Sequence, residues 1–76
     1  MNKVIVTVDN CITIGEIIQN INPAEFGLKA RFLKGLNEFV FEGELTDDEF
    51  NMMLTGIKMC PLCDLYDVYK NGEKVW

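Results

Sequence analysis

Apolar and polar positions change period along this chain of 76 residues, and each period predicts an element. From Lys3 to Val8 the residues are nearly all β-branched (Val4, Ile5, Val6, Thr7, Val8). Such a run, ended by Asp9-Asn10, predicts a short central strand with apolar side chains on both faces. The spacing then changes. Ile14, Ile17, Ile18 and Ile21 fall at i, i+3, i+4 and i+7, one buried stripe of a helix. Thr13-Ile14-Gly15-Glu16 supplies a capping box for it. Asn22-Pro23 stops that helix or opens a separate short turn from Pro23 to Phe26.

Residues 27–45 admit two readings. Asn22 could cap a second helix running through Lys34, yet Phe26, Leu28, Ala30 and Phe32 alternate with Gly27, Lys29 and Arg31, a period of two. With Leu36-Asn37 at the centre of a hairpin, Phe32 faces Phe41 and Leu28 faces Leu45, while Arg31 faces Glu42 and Lys29 faces Glu44. That register matches apolar with apolar and base with acid, pairs that stabilise a ladder by roughly 0.2–1 kcal/mol each. The helix offers no such coincidence, so strands at 28–33 and 38–45 are predicted.

Thr46-Asp47-Asp48-Glu49 is a second capping box, with acids where a helix start favours them. The helix predicted from Asp47 to about Met59 puts Phe50, Met53, Leu54 and Ile57 on one face. Pro61 ends it, because proline biases the residue before it away from helical backbone. Asp64 to Lys70 reads as a strand. Asn71-Gly72 is a strong hairpin turn signal, returning the chain through Glu73 to Trp76 with Val75 opposite Val68 and Glu73 opposite Lys70.

The resulting order is β-α-β-β-α-β with a short C-terminal hairpin strand. It predicts one α+β domain spanning residues 1–76, of the ferredoxin-like (split β-α-β) plan, with two helices on one face of an antiparallel sheet. The open face should carry Ile5, Thr7, Lys29, Arg31, Leu33, Val40, Glu42, Glu44, Leu65, Asp67 and Tyr69, while Phe32, Phe39 and Phe41 point inward. A fold hosting many unrelated functions says little about activity.

Charge narrows the function. The net charge is −5, and no basic residue separates Lys34 from Lys58. Six carboxylates crowd that interval: Glu38, Glu42, Glu44, Asp47, Asp48 and Glu49. Direct nucleic-acid binding needs a basic footprint, and an RNA-binding sheet face needs outward aromatics. Neither is expected here. The Val4–Val8 run is too short for a secretion signal, and no stretch approaches the roughly 20 apolar residues of a membrane span. Three cysteines and no histidine complete neither a disulfide framework nor a Cys/His zinc site, which predicts a reducing, cytoplasmic compartment.

Cys60-Pro61-Leu62-Cys63 resembles the Cys-Pro-x-Cys of glutaredoxin-like thiol oxidoreductases, in which the motif opens a helix that activates the thiol. Here the motif follows a helix, so that activation is not expected, and packing at a helix terminus is the simpler role. A thiol-redox or metal-binding module centred on Cys60 and Cys63 is the alternative reading. Its metal would need Cys11 and a further ligand such as Asp64. The carboxylates serve a helix start or a ladder, and no nucleophile–base pair is assembled. No enzyme and no cofactor are predicted.

Met52 and Met59 lie on the wheel opposite the apolar face of the 47–59 helix, beside Asp48. A second apolar stripe on a surface helix suits a partner contact, since Met packs adaptably. The expected function is a small acidic interaction domain, non-catalytic, that regulates or inhibits a protein partner with a basic surface. Asp47, Asp48, Glu49, Met52, Met59, Glu42 and Glu44 form the expected partner-binding set. Nucleic-acid-handling proteins are common basic surfaces. Small acidic inhibitors encoded by bacterial viruses resemble this profile in size and charge. A homodimer through the open sheet face is a further expectation.

Overall fold

The structure, a computed structural model, describes residues 1–9, 23–33, 38–61 and 63–76. Strands β1 (Asn2–Asp9), β2 (Lys29–Leu33), β3 (Glu38–Leu45), β4 (Tyr66–Lys70) and β5 (Glu73–Lys74) form one antiparallel sheet in the order β2-β3-β1-β4-β5. The sheet stays open, with β2 and β5 at its edges. Among the described residues there is one α-helix, α1 (Asp47–Met59), with short 3-10 turns at Pro23–Phe26 and Cys63–Leu65. The protein is thus α+β. The helix predicted from Thr13, with Ile14, Ile17, Ile18 and Ile21, lies outside the described residues, as do Cys11, Lys34 and the expected hairpin centre Leu36-Asn37.

The core follows from the two periods. Val4, Val6 and Val8 share one face of β1 with Phe41 and Leu45 of β3 and with Tyr66 and Val68 of β4. Against this face pack Phe50, Met53 and Ile57 of α1, with Leu54 partly buried beside them. Burying side chains of this size is worth roughly 1.5–3 kcal/mol each relative to exposure. Burial also pushes the Tyr66 hydroxyl up to about 12, so the phenol stays neutral in its pocket.

Both ends of α1 form as the residues dictate. Thr46 Oγ1 accepts from the Glu49 amide at 3.2 Å, and Glu49 Oε1 accepts from the Thr46 amide at 3.0 Å. At the other end Cys60 is extended, with ψ 136° before Pro61, as a pre-proline residue prefers.

One predicted register is corrected. In the β2–β3 ladder Lys29 opposes Glu42, Ala30 opposes Phe41, Arg31 opposes Val40 and Phe32 opposes Phe39. The strands are therefore shifted by two residues from the pairing that set Phe32 against Phe41 and Lys29 against Glu44. Leu28 precedes β2 and lies over Gly43, not against Leu45: a Cβ built on Gly43 would stand 3.0 Å from Leu28 Cδ2. The missing side chain makes room for Leu28, and the shift brings the Phe32 and Phe39 rings to 4.9 Å between centroids. A slip of two preserves which side chain faces which side, so the facial assignment survives the change.

Two side chains differ from the expected arrangement, Phe32 in its exposure and Leu65 in its face. Phe32 lies on the helix side of the sheet but is 45% exposed, because it sits on the edge strand while α1 lies over β1 and β3. Leu65 leaves the open face: it belongs to the 3-10 turn before β4 and packs against the core.

Candidate partner-binding surface

Helix α1 presents two unlike sides. Phe50, Met53 and Ile57 are buried, while Met52 is 67% and Met59 80% exposed. Asp48, Met52, Thr55 and Met59, at i, i+4, i+7 and i+11, form one stripe away from the sheet. All four are exposed. At a rise of 1.5 Å per residue the stripe runs about 16 Å. It is apolar at two positions and acidic at its N-terminal end. The Pro61 turn does not cover Met59.

The other predicted residues are put to different uses. Asp47 is tethered at the surface by its own chain: Asn2 Nδ2 donates to its Oδ1 at 2.6 Å, and Lys70 Nζ lies 3.7 Å from the same oxygen. The Asn2 amide and the Lys70 ammonium together hold the Asp47 carboxyl below its ordinary value. Lys70 also lies over the Phe50 ring at 4.9 Å, and Asn71 Nδ2 donates to Asn2 Oδ1 at 3.2 Å. This chain of polar contacts straps the start of α1 to β1 and to the end of β4. Glu49 is occupied in the capping box, and the Thr46 amide lowers its carboxyl in turn.

Glu42 and Glu44 lie on the opposite face of the sheet from α1. The structure therefore separates them from the helix stripe with which the sequence grouped them. There Glu42 Oε1 stands 3.5 Å from Arg31 Nε, Glu44 opposes Lys3, and Asp67 Oδ1 is 3.3 Å from Lys74 Nζ. A shallow depression lined by Lys3, Val4, Glu42, Gly43 and Glu44 opens on this face. Exposed ion pairs of this kind contribute only about 0–1 kcal/mol. Their alternating signs cancel the field a charged partner would follow. Of the expected set, Asp48, Met52 and Met59 alone form one continuous surface.

Sequence reasoning missed two features. The strap through Asn2, Lys70 and Asn71 joins residues too far apart in the chain for any local pattern to link them. Trp76 is the second: its indole Nε1 donates to the Cys63 carbonyl at 3.1 Å, and Lys58 Nζ lies 5.4 Å from the ring centroid. That brings a partly exposed aromatic to the last turn of α1. Cys60 is buried and Cys63 half-buried, and neither is disulfide-bonded. Among the described residues no three Cys, Asp or Glu side chains converge to hold a metal ion, and no helix is long and apolar enough to cross a membrane.

The chain matches no known family model, no curated protein and no solved structure.

Proposed function

We propose that this chain is a non-catalytic interaction domain that binds a basic protein surface through the outer side of α1 and thereby regulates or blocks its partner. One observation carries the reading: Met52 and Met59 stand out from the helix on the side away from the core, in line with Asp48. An acid beside an apolar patch speeds encounter with a basic surface, and burial of the methionines then holds the complex. The strongly acidic balance of the chain favours the same class of partner. A nucleic-acid-handling protein is the sharper form of the proposal, and a reducing cytoplasm its expected setting.

The fold belonging to this reading is the ferredoxin-like plan. Its support is the order β2-β3-β1-β4 with antiparallel neighbours throughout, together with the isoleucine stripe at 14–21. Helical carbon shifts over residues 13–21 are expected; extended shifts there would refute the helix predicted from Thr13.

The binding proposal is tested by affinity capture from cell lysate with wild type, Met52→Asp, Asp48→Lys and Glu42→Lys. The partner should be lost with the first two variants and kept with the third, which alters the far face. Equal retention by all four sinks the proposal.

A further inference from the structure

We propose that Cys60 and Cys63 are a dithiol modification site, closed to an intrachain disulfide by exchange with a low-molecular-weight disulfide. The motivation is backbone geometry. The Cys63 amide donates to the Cys60 carbonyl at 3.1 Å, a closure of the i to i+3 kind that keeps the first and fourth Cα within about 7 Å. Disulfides bridge Cα atoms roughly 4.4–6.8 Å apart, so a turn of this kind brings the two backbones close to the separation a bridge requires. Pro61 fixes one backbone angle between them. The closure is supported from both sides: the Cys60 amide donates to the Ile57 carbonyl at 3.0 Å, and the Trp76 indole donates to the Cys63 carbonyl at 3.1 Å.

Accessibility orders the steps. Cys63 is half-buried and Cys60 is 7% exposed, so Cys63 meets the small disulfide first and Cys60 resolves it. The Cys63 thiolate attacks one sulfur of RSSR, forming Cys63–S–SR and releasing RS⁻, which takes up the proton that Cys63 lost. The Cys60 thiolate then attacks the Cys63 sulfur and expels the second thiolate, again protonated at the expense of the attacking thiol. Two protein thiols are oxidised to one disulfide and one RSSR is reduced to two RSH. In a reducing compartment such a bond is transient, a sensing event and not a structural one. The bond would tie the end of α1 to the entry of β4, next to Met59 and under Trp76. This inference is independent of the binding proposal.

Native protein is incubated with oxidised glutathione, alkylated and digested with trypsin. The peptide 59–70 contains both Cys60 and Cys63, while Cys11 falls in another. In wild type that peptide should become two hydrogens lighter and resist alkylation, and dithiothreitol should reverse both changes. With Cys60→Ser the reaction should stop at a glutathionyl adduct on Cys63, and Cys63→Ser should leave Cys60 unmodified. Emission from Trp76, the single tryptophan, should change on oxidation of wild type and not of either variant. A persistent adduct in wild type, a link from either cysteine to Cys11, or a peptide that stays fully alkylated overturns the proposal. The wild-type mass measurement decides the matter even if a variant fails to fold.

Discussion

The two hairpins of the sheet are held in register by different means. Between β4 and β5 the chain turns in two residues, Asn71 with φ 51° and Gly72 with φ 87°. Both angles lie in the left-handed region, the pattern of a type I′ turn whose twist matches its strands. The turn leaves no freedom: Lys70 must oppose Glu73 and Tyr69 oppose Lys74, as they do. Val75 and Trp76 both donate to the Val68 carbonyl, at 2.8 and 3.3 Å, so the ladder ends in a bulge. Between β2 and β3 side-chain packing separates the registers that the pairing pattern allows, with Leu28 over Gly43 and the Phe32 and Phe39 rings in contact. Turn chemistry pins a register absolutely, whereas complementary pairs pin it only up to a slip of two.

The sharpest way to break this contrast is to remove packing from one hairpin and then from the other. Leu28 is buried over Gly43, so Leu28→Ala should cost about 2–5 kcal/mol, read as a fall in the urea midpoint. Val75, exposed beyond β5, should tolerate Ala within about 0.5 kcal/mol. If the two substitutions cost the same, packing is not what distinguishes the hairpins.

The converse experiment attacks the turn. Gly72→Ala places a Cβ on a residue with φ 87°. The space around it is open, so the penalty is backbone strain alone, about 1–2 kcal/mol. Asn71→Gly, which keeps the left-handed option but loses the bonds from the Lys3 amide to Asn71 Oδ1 and from Asn71 Nδ2 to Asn2 Oδ1, should cost less than Gly72→Ala. A larger loss for Asn71→Gly would mean that the turn is held by those side-chain bonds and not by its conformation.

Much of the fold was legible because it rests on local chemistry. The capping box at Thr46, the stop at Pro61 and the Asn71-Gly72 turn are each set by a few adjacent residues. The β2–β3 register was not legible, because both candidate registers pair base with acid and keep every side chain on its proper face. The deciding facts were the absent side chain at Gly43 and the ring contact of Phe32 with Phe39, neither visible in a period of two. The candidate surface was legible in part. Met52, Met59 and Asp48 follow from helical spacing, but the diversion of Asp47 into the strap needed the third dimension.

The ring contact gives the next test. A double-mutant cycle on Phe32 and Phe39 should show a coupling of about 0.5–1.5 kcal/mol, the range for aromatic pairs. The same cycle on Phe32 and Phe41 should show less, since Phe41 opposes Ala30. The reverse ranking would restore the register in which Phe32 faces Phe41.

The smallest expected effect concerns the polar strap, which supports β4 next to the Asn71-Gly72 turn. Asn2 first, and Lys70 after it, lower the Asp47 carboxyl below 3.8, and Thr46 lowers Glu49 below 4.5. A carboxyl depressed in the folded state binds its proton more readily once the chain unfolds. Its contribution to stability is therefore complete above the unfolded value and is lost as pH falls through the folded one. Both groups are exposed, so solvent screens the effect and added salt should reduce it. The urea midpoint of wild type should decline as pH drops from about 5 to 3. Asp47→Asn and Glu49→Gln should each flatten that decline. An Asp47→Asn profile parallel to wild type would show that the strap does not hold the start of α1 to β1 and β4.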